Sequence, residues 1–168
     1  MAQAAQAALE CPACRQNPRS HSFEHLATLA SDGTRIFYTA PALAEEAESP
    51  AKLENMRIHL TNARSTPWIW VLDCSNMESK HTSSMEFVYG IAKTITAEHE
   101  GILRRIVILN GNLWIRCAVA ALRLFVRADL VKKLVFADYI LDDLRAIELT
   151  DVEIRAILRR HYALSSPV

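Results

Sequence analysis

The sequence predicts an α/β domain: a mainly parallel sheet with helices on both faces and an antiparallel hairpin at its start. Three observations carry that reading. WIWVLDC (Trp68 to Cys74) and RRIVILN (Arg104 to Asn110) are apolar on both faces, as strands buried inside a covered sheet must be, and KKLVFAD (Lys132 to Asp138) reads as a third strand. Stretches with helical spacing separate them, and each is long enough for a right-handed crossover between parallel strands. Ahead of them, Ser31-Asp32-Gly33 divides two apolar segments, a strong short-range hairpin signal.

The elements follow in order. Residues 1–20 are Ala/Gln-rich and then proline-bearing, without periodicity, so the expectation is a flexible arm, followed by one domain over residues 21–163 and a tail over 164–168. SFEHLATLA and TRIFYTA supply the hairpin strands, and Pro41 ends the second. Ser49 is suited to cap a helix with Pro50 in its first turn, running to about Arg64. Met85, Val88, Ile91, Ala92 and Ile95 lie on one helical face, and Gly101 breaks that run. Leu113 to Val126 reads as a further helix, Ile140 to Ile147 as another, and Asp151 to His161 as the last, capped by Thr150 or Asp151.

Composition narrows the function classes. The chain has 168 residues, 51% of them hydrophobic, with only four cysteines, which excludes wholesale disorder and a disulfide scaffold. Nineteen basic side chains balance nineteen acidic ones, so no global charge draws nucleic acid. No apolar run reaches the roughly 18 residues of a membrane span, and the first residues have no basic or apolar signal character. The expectation is a soluble or peripheral intracellular protein, cytoplasmic by default. Between Arg104 and Lys133 seven basic residues face one acid, Asp129, a local basic zone suited to an anionic surface or an acidic partner.

Motifs for catalysis are lacking: the sequence contains no glycine-rich phosphate loop, no nucleophile elbow and no HExxH. Asp73 ends a buried strand, where open α/β sheets place ligands, but the polar Cys74-Ser75-Asn76 after it favours a turn cap. Cys11 and Cys14 form CxxC without the preceding strand that a thioredoxin-type site needs. With His21 and His25 they make C-x2-C-x6-H-x3-H, a candidate structural zinc set. Cys74 and Cys117 read as buried core thiols.

The segment Asn112–Arg127 is the most informative. At 100° per residue, Arg116, Ala120, Arg123 and Arg127 fall within about 60°, opposite Trp114, Ala118, Ala121 and Phe125. Such a helix can cover a sheet, line an apolar cavity or lie on an anionic surface.

WIWVLDCSNM, followed about 30 residues on by RRIVILNGNLWIRCAVAALRLFVRADLVKKLVFAD, resembles the CRAL-TRIO lipid-binding family. The likeness rests on Asp73, Asn110, the Trp114-to-Phe125 stretch that would be the gate helix, Lys133-Leu134, and the opening IFYTAP, and it extends from about Ser22 to Ile147. Arg116 and KKLVFAD are also similar to the BCH branch, which works largely through protein contacts. The resemblance implies a minimal version without the family's helical N-terminal module. Asn112 stands where the family has proline, and of the three residues that hold an inositol phosphate in its phosphoinositide-transferring members, Gly101 and Leu130 replace two while Lys133 is kept.

Two roles follow, neither enzymatic. The first is a protein-interaction or accessory subunit of a larger assembly, with Arg116, Arg123 and Arg127 meeting a partner or an anionic membrane. The alternative is a small lipid-binding or transfer protein. Trp70, Leu72, Ile108, Trp114, Leu122 and Phe125 would wall its pocket, and Lys133 would meet a phosphate or carboxylate. A hollow under the 112–126 helix favours the carrier, and a solid interior the adaptor.

Overall fold

The expected hairpin and parallel strands meet in one sheet. The computed structural model describes residues 11–29, 31–45, 51–146 and 149–165. Strand β1 (Glu24–Thr28) pairs antiparallel with β2 (Arg35–Thr39), and β3 (Trp68–Asp73), β4 (Leu103–Leu109) and β5 (Leu134–Ala137) continue in parallel. Spatial order is β1-β2-β3-β4-β5, identical to chain order. The hairpin turn closes through the Gly33 N–H on the Leu29 carbonyl, with Asp32 accepting from the Thr34 amide and Gly33 at φ +72°.

That unreversed order decides where the helices go. Right-handed crossovers that always step in one direction place their helices on one face of the sheet. Helices α2 (Lys52–Ala63), α3 (Met85–Glu98), α4 (Leu113–Leu122) and α5 (Ala128–Lys133) are those crossovers. Together they cover the face that carries Phe37, Trp68, Trp70, Ile106 and Ile108. The opposite face carries Ile36, Tyr38, Val71, Val107 and Leu109, and is covered by the C-terminal helices α6 (Ile140–Ala146) and α7 (Asp151–Ser165). Alternation along β3 therefore aims its tryptophans at one layer, and Ile69 and Val71 at the other.

Local caps explain the starts. The Ser84 hydroxyl accepts from the Phe87 amide at the head of α3, and the Asn112 side chain accepts from the Ile115 amide at the head of α4. Asn112, in the place of the family's proline, is thus a helix cap. Before it, Asn110 takes a positive φ of 50°, and Gly111 has no room for a Cβ, which would stand 2.8 Å from the Phe136 ring. Ahead of α7, the Glu153 carboxylate accepts from both the Thr150 amide (2.9 Å) and its hydroxyl (2.6 Å).

Four expectations need correction. Residues 11–20 are not a loose arm: helix α1 (Pro12–Gln16) and the turn after it are ordered, with Cys11 and Cys14 buried. The helix expected to reach Val126 stops at Leu122, where its bonds tighten from i+4 to i+3 spacing. Arg127, in extended backbone, then opens α5. Lys132 and Lys133 accordingly form the last turn of α5, and the strand begins at Leu134. Cys117 lies on the exposed side of α4. The expected helix start at Ser49-Pro50 lies outside the described residues.

Candidate functional site

Between the sheet and the α2–α5 layer lies a cavity of about 550 Å³, inside the range of small-molecule pockets. Trp70, Leu72 and Ile108 rise from the sheet as its floor, α4 contributes Trp114, Ala118 and Leu122, and α3 contributes Phe87, Ile91 and Ile95. The tryptophan of the floor is satisfied, since Trp70 Nε1 donates to Thr39 Oγ1 at 2.8 Å. Polar lining comes from segments at the carboxyl edge of β2 and β3 and from what packs beside them: Ser20, Ser22, Glu45, Lys52, Lys80 and His81. The other end is closed by Ile106, Val126, Leu130 and Leu134.

Five of the expected wall residues line this cavity: Trp70, Leu72, Ile108, Trp114 and Leu122. Phe125 does not. It is 69% exposed beyond the end of α4, edge-on to Tyr89 at 6.2 Å. The early end of the helix rotates it out of the phase that a longer helix would give. Lys133 is also turned away, its ammonium donating to the Glu100 carbonyl in the turn before β4. The cations that do reach the lining, Lys52 and Lys80, lie in segments with no local motif, so only the folded chain reveals them. Lys52 Nζ sits 5.1 Å from the Phe87 ring centroid, and Lys80 pairs with Glu78 at 2.8 Å.

The arginine stripe is divided. Arg116 is held at the head of α4: it pairs with Asp138, donates to the Gly111 carbonyl at 3.1 Å and stacks over Phe136 at 4.6 Å. Arg127 caps α5 and pairs with Glu100 at 2.8 Å. Arg123 caps the end of α4 and is exposed. Beside it Leu124 and Phe125 are exposed as well.

At the polar end of the cavity a second group converges. Cys11, Cys14, His21 and His59 are all buried, and their donor atoms lie within 4.8 Å of one another. Cys14 Sγ is 3.3 Å from His21 Nδ1 and 3.4 Å from His59 Nε2, and Cys11 Sγ is 3.4 Å from His21 Nδ1. His25, the fourth member expected from spacing, is elsewhere: it points outward from β1 and bonds Thr28 Oγ1 at 3.0 Å. Alternation puts it on the same sheet face as Phe37, whose ring lies 5.5 Å away, but it is exposed on the outermost strand and outside the Cys/His group. His59 takes its place from the buried face of α2, 45 residues after Cys14.

Asp73 belongs to the opposite face. Its carboxylate accepts from the Ser75 amide (2.9 Å), the Ser75 hydroxyl (2.6 Å), the Tyr38 hydroxyl (2.5 Å) and His161 Nδ1 (2.7 Å). Burial alone would raise its pKa, but these hydrogen bonds, Ser75 and Tyr38 foremost, hold the carboxyl below its ordinary range. Fully enclosed and saturated with donors, it caps the turn after β3. Burial, with Asp73 beside it, pushes the Cys74 thiol up to about 12, so it stays protonated.

Among the described residues no helix is long and apolar enough to cross a membrane. No curated protein matches the chain. A family model described as the divergent CRAL/TRIO domain matches residues 42–157, which take in α2 to α6, the first part of α7, β3 to β5 and most of the cavity wall. The five-stranded sheet, the crossover helices on one face and the α4 helix over the apolar cavity agree with that match, and the chain belongs to the divergent CRAL/TRIO domain family.

Proposed function

We infer that the protein is a lipid carrier that encloses a long apolar ligand in the cavity under α4 and performs no chemistry on it. The supporting observation is the cavity itself: about 550 Å³, almost wholly apolar inside and polar at one end. An amphiphile matches that polarity. Its chain would lie against Trp70, Ile108 and Leu122, and its carboxylate or phosphate would meet Lys52 and Lys80. A module that served only as an adaptor would have no use for such a hollow, since unfilled apolar volume lowers stability. Organic extraction of the purified protein followed by mass spectrometry is expected to yield a lipid near one equivalent. The stripped protein is expected to take up a fluorescent fatty acid saturably. An extract without lipid, together with no saturable uptake, would overturn the reading.

Loading needs a membrane-facing surface, and the end of α4 supplies one. Leu124 and Phe125 are exposed next to Arg123 and Arg127, which suits apolar insertion among anionic head groups. Phe125→Asp with Leu124→Asp is expected to reduce cosedimentation with phosphatidylserine-containing vesicles at least fivefold, leaving the Tm within a few degrees. Unchanged cosedimentation would place the contact elsewhere.

A further inference from the structure

We propose that Cys11, Cys14, His21 and His59 bind one structural zinc ion, which fastens the N-terminal segment to α2 at the rim of the cavity. The donor geometry carries the assignment. With bonds of about 2.3 Å to sulfur and 2.0–2.1 Å to nitrogen, a tetrahedral zinc holds its donors roughly 3.4–3.8 Å apart. Three of the four sulfur–nitrogen separations are 3.3, 3.4 and 3.4 Å, and all donor atoms lie within 4.8 Å of one another, so closing on the ion needs movements of ~1 Å or less.

Hydrogen bonding alone accounts poorly for this convergence. His21 Nδ1 faces both sulfurs, whereas one ring nitrogen offers a single hydrogen or a single lone pair. Cys14 Sγ in turn faces two imidazoles. A cation at the common centre satisfies every one of these approaches at once. On binding, each thiol gives its proton to solvent and the two thiolates cancel the two charges of the metal, while both imidazoles stay neutral. The resulting site carries no net charge, which is what burial requires. The Cys14 amide already donates to Cys11 Sγ at 3.4 Å, a bond that supports a thiolate. Two sulfurs and two nitrogens in a closed, buried set, with four protein donors, suit structural zinc rather than a catalytic or hard cation.

A second observation is independent of the distances. Between Cys11 and Ser22 the buried residues are Cys11, Cys14, Ser20 and His21. Apart from one serine, the segment buries its ligands and nothing else. No apolar anchor orders it, yet it forms a helix and a turn, with Asn17 and Ser20 amides bonded to the Ala13 and Asn17 carbonyls. A metal supplies the missing ordering energy. His21 also lines the cavity, and His59 lies one turn beyond Met56, which lines it too, so the ion would fix the position of the rim.

The test uses the full chain purified without chelator. Metal analysis is expected to give one zinc per chain. The stripped, reduced protein, titrated with Co²⁺ alone, is expected to bind one equivalent with tetrahedral ligand-field bands and thiolate-to-cobalt charge transfer. His59→Gln and Cys14→Ser are expected to lose at least tenfold in Co²⁺ affinity, whereas His25→Gln should bind as the wild type does. Metal removal should lower the Tm by on the order of 10 °C. Absence of zinc together with no tetrahedral cobalt spectrum in the reduced wild type would overturn the proposal, and so would equal affinity in the His59 and His25 variants. The wild-type spectrum and the His25 control leave all four ligands in place, so a misfolded Cys14 variant does not disturb either measurement. Zinc content and the cobalt spectrum are also independent of whether the cavity takes lipid.

Discussion

Ala118→Trp is expected to abolish uptake of a fluorescent fatty acid, with at least a tenfold loss of affinity, or about 1.4 kcal/mol. Ala118 is buried on the inner face of α4 and lines the cavity opposite the sheet. An indole there would occupy the space that the chain of a lipid needs. In a filled core, such an enlargement costs roughly 1–3 kcal/mol through displaced neighbours. Over a hollow the ring has somewhere to go, so the Tm should change little or even rise. Ala120→Trp is the control, because Ala120 sits on the outer, exposed face of the same helix. It should bind lipid as the wild type does. Equal loss in both variants would mean that α4 is perturbed as a whole and that the hollow beneath it is not where the ligand lies.

The strands were legible in the sequence because burial on both faces leaves an unbroken apolar run. WIWVLD and RRIVIL admit no amphipathic alternative, and the structure gives β3 and β4 almost at those bounds. The cavity floor followed from them, since alternate residues of known strands must share a face. Where expectation and structure part, a helix end is at fault. Leu113 to Val126 has helical periodicity throughout, yet the backbone closes at Leu122, and that one turn removes Phe125 from the wall and Arg127 from the stripe. Periodicity constrains phase only while the helix continues. Lys133 was displaced for the same reason, because α5 holds it in a last turn that the strand pattern concealed.

The proposed metal set shows a different limit. Cys11, Cys14 and His21 lie close in sequence, and spacing found them. The fourth donor came from α2, where His59 has no local pattern to distinguish it from a core histidine. His25 was nearer in sequence but lies exposed beside Phe37, outside the cluster. Ligands from distant elements become visible only once topology sets them side by side. The fold thus joins two features that lie apart along the chain, a cysteine-bearing N-terminus and an apolar hollow, through His21 and α2.

Asp73→Ala is expected to be strongly destabilising, by about 3–5 kcal/mol. It removes the shared acceptor of Ser75, Tyr38 and His161, all enclosed between β3 and α7, and leaves their donors facing an apolar layer. For a domain of this length the Tm should fall by about 10 °C. The effect should also depend on pH with a definite sign. The folded carboxyl titrates below its ordinary value, so its ionisation contributes stability that is complete above the unfolded pKa of about 4 and is lost as pH falls through the depressed folded value. Thermal melts of both proteins at neutral pH and near pH 3 should show the gap narrowing on acidification. A gap of equal size at both would mean that packing, not the ionised carboxylate, makes the difference. Lipid uptake by the variant, measured well below its Tm, should match the wild type, because the sheet separates Asp73 from the cavity. A variant that is fully folded but no longer takes up lipid would instead place Asp73 in the binding machinery.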